Sequence, residues 1–170
     1  MNSIEIRRVL LEELPDVVEL FRNKVYHWNP AEAVAHFEDH VSRGGETFLA
    51  WDGEELAGFL TLRWVSRNPA FRDNNIPLIH HLEVFEPYRR RGIAARLMDT
   101  GEGLIATRAT KAGITVGISQ EYGAAQRLYA KRGYIPDGRG VCQGHRPIKL
   151  GESYTIDHDL IIWLTKDLTR

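Results

Sequence analysis

One stretch, residues 82–95, concentrates the side chains and backbone groups that could do chemistry. It begins as a β-rich run, passes a proline and places three consecutive arginines before a glycine and an apolar helical pattern. Backbone N–H groups at a helix start have no partner within the helix and can hold phosphate oxygens, to which nearby arginines add charge. The stretch therefore predicts a polyphosphate ligand. By itself, it is equally typical of a solvated loop before a helix.

Three side chains that can exchange protons lie on the strand leading into this turn: His80, His81 and Glu83. A neutral imidazole or a carboxylate can accept a proton near pH 7. Because successive side chains of a strand point to opposite faces, these residues divide between the two faces unless a bulge intervenes. The alternative that they are ordinary polar residues of a sheet remains open.

Bulk composition is that of an ordinary globular chain. The 170 residues carry a formal net charge of -1, which disfavours broad attraction to nucleic acid or membranes and makes the arginine cluster a local feature. No signal peptide or membrane-length apolar stretch is apparent, so we expect a cytoplasmic protein. Cys142 is the lone cysteine and is expected to be structural. The seven histidines are scattered, so no metal site is predicted.

The apolar periodicity predicts the elements that must position these residues. Their order is one strand, two helices, three strands in a meander, then helix, strand, helix and two strands. Asp52-Gly53 predicts a hairpin, and Gly133 is well placed to cap a helix. Pro136-Asp137-Gly138 is expected to break the strand that begins at Tyr134. The pattern is that of one α/β domain spanning residues 1–170, with helices on both faces of a mixed sheet.

Two blocks of residues carry a resemblance to a known family. The first has Arg89, Gly92 and Ala94 in the pattern Arg/Gln-x-x-Gly-x-Gly/Ala after a strand. The second, downstream, reads Ala125-x-x-Leu128-Tyr129-x-Lys131-x-Gly133-Tyr134. With this element order, the chain resembles the GNAT superfamily of acyl-CoA-dependent N-acetyltransferases. It departs from the family in two places: Pro87 comes one residue late, and Tyr122 stands where asparagine is frequent.

The resemblance implies a mostly antiparallel mixed sheet and acetyl-CoA as cosubstrate. It implies that the backbone of residues 84–86 pairs with the pantetheine arm and that amides of residues 90–95 hold the pyrophosphate. At least one of the three arginines is expected to face water. The cofactor-binding residues that it implies are Val84, Phe85, Glu86, Arg89, Arg90, Arg91, Gly92, Ile93, Ala94 and Ala95.

The resemblance also implies direct attack by an amine in a ternary complex. Tyr129 would protonate the departing thiolate, and a strand amide near residues 82–84 would stabilise the oxyanion. For the base that takes the amine proton, His80 ranks first, Glu83 second and His81 third. A substrate that enters already neutral, with no base, remains the alternative.

The expected acceptor is the primary amine of a small molecule. Its recognition is assigned to three variable segments: residues 26–28 (Tyr26, His27 and Trp28), 67–77 and 142–155. Two hypotheses from other classes compete with this one, a non-catalytic acyl-CoA sensor and, more weakly, a nucleic-acid-binding module using the arginines. A homodimer is compatible with the sequence, which does not specify the oligomeric state.

Overall fold

The computed structural model of the chain describes residues 3–24, 31, 35, 36, 40 and 42–169. The predictions for Tyr26, His27 and Trp28 lie outside these residues, as do the apolar positions of the second predicted helix (Val34, Phe37 and Val41). The chain divides into two compact units, Met1–Trp64 with His81–Gly101 and Val65–His80 with Glu102–Arg170.

The first unit is built on antiparallel strands. It contains β1 (Ile4–Arg8), a 3-10 turn (Leu11–Glu13), α1 (Leu14–Lys24), β2 (Glu46–Asp52), β3 (Glu55–Arg63) and the end of β4 (Leu78–Val84). The strand order is β1-β2-β3-β4. The predicted Asp52-Gly53 hairpin joins β2 to β3, and Gly53 has the positive φ, 64°, that such a turn requires.

The core of the first unit lies between α1 and the hairpin. Val17 and Phe21 of α1 are buried, and they belong to one cluster with Leu49, Leu56 and Phe59. The rings of Phe21 and Phe59 meet edge to face with centroids 4.5 Å apart. The amphipathic spacing predicted for the first helix is therefore confirmed at these two positions.

The second unit holds most of the remaining elements. It contains the start of β4, α2 (Pro69–Arg72), the end of α3 (Ile93–Ala106), β5 (Lys111–Gly117), α4 (Gly123–Lys131), β6 (Ile135–Gln143), β7 (Arg146–Pro147) and β8 (Leu160–Asp167). The strand order is β4-β5-β8-β6-β7. The β4–β5 ladder is parallel, whereas β5–β8, β8–β6 and β6–β7 are antiparallel. The predicted mixed, mostly antiparallel α/β class is thus confirmed.

The predicted break at Pro136 is wrong. Strand β6 runs from Ile135 to Gln143, and its ladder with β8 shifts register between Pro136 and Val141. This irregularity accommodates the proline and two glycines of positive φ, Gly138 and Gly140, without ending the strand. Part of the segment predicted as a glycine-rich loop is therefore sheet.

A short helix, α2, interrupts the predicted loop of residues 67–77. Asn68 is the N-cap of this helix: its side chain accepts a hydrogen bond from the Ala70 N–H at 3.1 Å. Pro69 occupies the first turn, where proline is tolerated. Phe71 of this helix is buried with Trp163, and their ring centroids are 4.9 Å apart. The loop is thereby anchored to the core of the second unit.

A buried ionic network joins three elements of the second unit. Glu102, on α3, accepts hydrogen bonds from Arg132 at the end of α4 and from Lys166 on β8. Burial alone would raise the pKa of Glu102, but the hydrogen bonds from the two cations outweigh it and lower the pKa. The network therefore fixes α3 and α4 to the edge of β8.

None of the helices in the described part of the chain is sufficiently long and apolar to cross a membrane.

Candidate functional site

The turn between β4 and α3 has an unusual backbone. After the 3-10 turn Glu86–Tyr88, Arg89 is extended, whereas Arg90 and Gly92 have positive φ values of 61° and 76°. Helix α3 then begins at Ile93. Glycine tolerates the left-handed region, but an arginine there costs about 1 kcal/mol. Backbone N–H groups in such alternating turns, followed by a helix start, form a concave anion-binding surface.

The three arginines of this turn are not equivalent. Arg89 donates from Nε to the carbonyl oxygen of Val84 at 3.0 Å. Arg91 forms an ion pair with Asp52, with Nη1 and Oδ2 2.7 Å apart, and its guanidinium lies 5.9 Å from the centre of the Tyr88 ring. The hydrogen bond to Asp52 raises the pKa of Arg91. Arg90 is exposed and makes no ion pair or side-chain hydrogen bond with other residues that the structure describes.

Strand β4 is held against β3 where it approaches the turn. The Phe85 N–H donates to the Ala57 carbonyl at 2.9 Å. Gly58 allows the close approach, because a Cβ there would lie 2.4 Å from the Glu83 carbonyl oxygen. In its other ladder, β4 pairs only Leu78 and Ile79 with β5. Among the described residues, the backbone after Ile79 takes no further part in that ladder.

The three predicted base candidates are all half-buried on β4. His81 has defined ring neighbours: its centroid is 4.7 Å from that of His36 and 6.4 Å from that of Phe59. Glu83 lies in the segment that packs closely on Gly58. The assignment of the base to His80, Glu83 or His81 stays a prediction.

Tyr129 lies in the second unit on α4 and is 5% exposed. Its ring centroid is 6.0 Å from that of Tyr134, whose N–H donates to the Tyr129 carbonyl at 3.0 Å. Burial raises the pKa of the Tyr129 phenol, so the group stays protonated at neutral pH and holds its proton more tightly than an ordinary tyrosine. Gly133, with φ of 86°, follows the helix as the sequence predicts for its C-terminal end.

Tyr122, the departure from the family pattern, has neighbours of its own in the second unit. Its hydroxyl lies 2.6 Å from Nδ1 of His158. The ring occupies the space beside Gly117, where a Cβ would meet it at 2.3 Å. Tyr122 is thus held by contacts that asparagine could not reproduce. Cys142 is fully buried in the cluster of Phe71 and Trp163, and burial raises the pKa of its thiol.

Two residues near the predicted site were not anticipated. Asp52, the partner of Arg91, was considered in the sequence only as part of the Asp52-Gly53 hairpin turn. The two residues are 39 positions apart. His36, which meets His81, lies on the second predicted helix, where a lone histidine gave no signal. No local pattern could have revealed either contact, because both join residues distant in sequence.

Comparison with known proteins identifies the family. The model of the acetyltransferase (GNAT) family matches residues 11–134. No curated protein matches the sequence. The family match covers both blocks and most of the chain.

Solved structures share the fold at low sequence identity. A GNAT family acetyltransferase from Elizabethkingia anophelis with acetyl-CoA bound has a TM-score of 0.64 and 17% identity, covering 98% of this chain and 99% of that one. Naa50 of Arabidopsis thaliana, in complex with the bisubstrate analogue CoA-Ac-MVNAL, has a TM-score of 0.66 and 16% identity, with coverages of 97% and 99%. Spermidine N-acetyltransferase from Vibrio cholerae, in complex with CoA and spermine, has a TM-score of 0.63 and 14% identity, with coverages of 98% and 96%.

The turn geometry, the fold and the family match agree with one another. The chain belongs to the acetyltransferase (GNAT) family and is an N-acetyltransferase whose cosubstrate is acetyl-CoA.

Proposed function

We propose that this enzyme transfers the acetyl group of acetyl-CoA to the primary amine of a small molecule, by direct attack in a ternary complex. The observation that carries the cofactor half of the proposal is the turn of residues 89–92. It places two residues of positive φ and an exposed arginine directly before the N-terminus of α3. Such a surface suits the pyrophosphate of a CoA ester.

The backbone of β4 offers the complementary feature for the rest of the cofactor. Its ladder with β5 ends after Ile79, so we assign the segment from Val84 to Glu86 to the pantetheine arm. Amides of residues 90–95 are assigned to the pyrophosphate, with charge from Arg90. Because Arg91 is paired with Asp52 and Arg89 donates to Val84, those two arginines are assigned chiefly to shaping the turn.

Acetyl-CoA supplies the acetyl group as a thioester, and the remaining chemistry is assigned to the chain. A strand amide near residues 82–84 would donate to the carbonyl oxygen. His80 would accept the amine proton as the new N–C bond forms, with Glu83 and then His81 as the alternatives. Tyr129 would give its proton to the sulfur as the C–S bond breaks. Because burial raises the pKa of the phenol, this proton transfer must be coupled to the breaking of the C–S bond, as the negative charge develops on sulfur.

Mutation of Tyr129 tests the mechanism. Tyr129→Phe removes the proposed acid but keeps the ring, so kcat should fall roughly 100-fold or more while acetyl-CoA still binds. Tyr134→Phe is the matched control, because it removes the hydroxyl of a second buried tyrosine, whose ring centroid is 6.0 Å from that of Tyr129, and it should leave kcat unchanged. Unchanged turnover in Tyr129→Phe would refute the acid role.

The acceptor class is tested by an amine panel. The similar proteins include one in complex with spermine and one in complex with an analogue that carries a peptide-like sequence, so the panel must contain polyamines, other small primary amines and peptides with free N-termini. Mass spectrometry would identify acetylated products. We expect one class of small amine to be acetylated well above the peptides. Efficient transfer to peptides alone would overturn the small-molecule assignment.

The cytoplasmic location, the absence of nucleic-acid and membrane partners, and a homodimer remain proposals based on the sequence. Cell fractionation, mobility-shift assays and light scattering test them separately.

A further inference from the structure

Three histidines, His36, His80 and His81, lie close together. No metal site was expected from the sequence, because its histidines are scattered along the chain. The His36 and His81 rings meet edge to face, with centroids 4.7 Å apart and planes at 84°. His80 precedes His81 in the same strand. One ring nitrogen of His81 lies within 4.8 Å of a nitrogen of His36 and within 4.8 Å of a nitrogen of His80.

We propose that His36, His80 and His81 bind a divalent transition metal ion of the Zn²⁺ class. Imidazole nitrogens bind zinc at about 2.0–2.1 Å, so two ligands of a tetrahedral ion lie about 3.4 Å apart. The possible ligand nitrogens lie up to 4.8 Å apart, so the rings must move closer together to bind one ion. Three histidines with an open fourth position are a ligand set that zinc uses in proteins.

The ligand chemistry selects the kind of ion. Within the described residues, the cluster offers imidazoles and no carboxylate or thiolate. Imidazole suits Zn²⁺, Co²⁺, Ni²⁺ and Cu²⁺, whereas Mg²⁺ and Ca²⁺ prefer oxygen ligands. All three histidines are half-buried, so an ion can enter from solvent while being partly protected from it.

Packing restrains the rings that would bind the ion. The His36 ring is stacked on that of His40, with centroids 5.9 Å apart. His40 is buried, with its Nε2 3.0 Å from the Glu46 carbonyl oxygen and 3.2 Å from the Thr47 hydroxyl. The Phe59 ring lies 6.4 Å from His81 on another side. Fixed neighbours reduce the ordering cost of binding, as outer-shell partners do in metal sites.

A metal ion here would regulate acetyl transfer. His80 and His81 are two of the three proposed bases, and an imidazole lone pair bound to a metal cannot accept a proton from an amine. Binding should therefore inhibit the enzyme. This regulatory consequence rests on the proposed function, whereas the metal site itself does not.

The binding experiment uses the full chain, freed of metal with a chelator, in the absence of acetyl-CoA and amine. Co²⁺ is added and followed by the visible absorption of a low-coordinate cobalt site, and Zn²⁺ is titrated by calorimetry. We expect one ion per chain, with Zn²⁺ displacing Co²⁺. His36→Ala and His81→Gln should each weaken binding at least about ten-fold.

His145→Ala is the matched control, because the described contact of His145 is made through its backbone carbonyl. It should leave binding unchanged. Circular dichroism of each variant verifies folding. If His81→Gln fails to fold, His36→Ala carries the test. A stoichiometry well below one, or binding that survives His36→Ala, would overturn the proposal.

An activity measurement separates the two proposals. Zn²⁺ should inhibit wild-type acetyl transfer, while His36→Ala should lose that inhibition when its rates with and without Zn²⁺ are compared. Cobalt binding without acetyl transfer to any amine would sink the proposed function and leave the metal site standing. Transfer without cobalt binding would do the reverse.

Discussion

Arg90 is the arginine that we assign to the pyrophosphate of acetyl-CoA. Its neighbours Arg89 and Arg91 are each engaged within the protein, by the Val84 carbonyl and by Asp52. Arg90 is exposed and holds a left-handed backbone conformation, with φ of 61°. Residues held in this conformation cluster at ligand-binding sites, and a phosphate contact by Arg90 is consistent with that tendency.

Replacing Arg90 with glycine or with alanine distinguishes the effect of its backbone strain on stability from the effect of its charge on acetyl-CoA binding. Arg90→Gly removes the left-handed strain, so the free energy of unfolding should rise by up to about 1 kcal/mol. The lost charge-assisted hydrogen bond should raise the KM for acetyl-CoA about ten-fold. Arg90→Ala should show the same KM without the gain in stability. Urea unfolding and steady-state kinetics measure the two effects, and an unchanged KM in both variants would contradict the phosphate role.

Two buried phenols, those of Tyr129 and Tyr134, should make the free energy of unfolding fall at alkaline pH. Burial raises the pKa of Tyr129 and of Tyr134, with Glu102 adding to the shift at Tyr134. Above pH 10, the unfolded chain releases protons that the folded chain retains, so the free energy of unfolding should fall as pH rises. Each phenol contributes a slope of about 1.4 kcal/mol per pH unit. Below pH 10, this dependence should vanish.

Single substitutions show which phenol causes the dependence of the unfolding free energy on pH. Tyr129→Phe and Tyr134→Phe should each flatten the decline of unfolding free energy between pH 10 and pH 11, as measured by urea unfolding at several pH values. Curves that run parallel to the wild type would show that neither phenol is responsible. Because the prediction concerns burial, it holds whether or not Tyr129 acts as an acid.

Among the elements, β4 is held differently on its two sides. On one side it packs so closely on β3 that only glycine fits at position 58, and on the other its ladder with β5 ends after Ile79. The strand is therefore tightly held beside β3, while its later backbone groups are outside the β5 ladder. That asymmetry gives β4 a rigid edge on which a ligand backbone can be placed.

Two glycine-to-alanine substitutions compare a tightly packed position, Gly58, with an open one, Gly103, by their effect on the free energy of unfolding. In Gly58→Ala, the new Cβ would lie 2.4 Å from the Glu83 carbonyl oxygen, so the free energy of unfolding should fall by about 1–3 kcal/mol. Gly103→Ala is the matched control: Gly103 is exposed within α3, and a Cβ there meets no atom within 4 Å. It should stabilise the protein by about 0.5–1 kcal/mol.

Urea unfolding measures both variants. The opposite signs matter, because a general sensitivity to loss of glycine would destabilise both proteins. If Gly58→Ala proved neutral, the backbone of β3 and β4 would have to separate easily, which would contradict the rigid edge described for β4.

At the scale of the whole molecule, two elements are shared by both compact units. Strand β4 and helix α3 each begin in one unit and end in the other. Unfolding either unit alone would require breaking a strand or a helix in its middle. We therefore retain the single domain of residues 1–170 as a proposal, with cooperative unfolding as its consequence.

Calorimetry tests that cooperativity. Thermal unfolding should give one transition in which the calorimetric and van't Hoff enthalpies agree. A tenfold excess of acetyl-CoA over its Kd should move the whole transition upward, since a ligand of the folded state stabilises the unit that unfolds. Two separate transitions, of which acetyl-CoA moves only one, would show that the units unfold independently.

Local signals in the sequence by themselves determined the parts of the protein that are continuous in the chain. Three features could be predicted, since neighbouring residues set their backbone geometry. They are the arginine–glycine turn before an apolar helix, the Asp52-Gly53 hairpin and the helix that carries Leu128 and Tyr129. The α/β class followed from the order of those elements. The family resemblance, which rested on the same two blocks, is confirmed by the match over residues 11–134.

Only the tertiary structure decided which distant residues meet. It paired Arg91 with Asp52, placed His36 against His81, and carried β6 past Pro136 through a register shift with β8. These outcomes depend on strand register and packing, which are set by the balance of many long-range contacts rather than by any short pattern. That is why the arginine–glycine turn and the helix after it could be predicted from their residues, whereas the partners of its arginines and the histidine cluster could not.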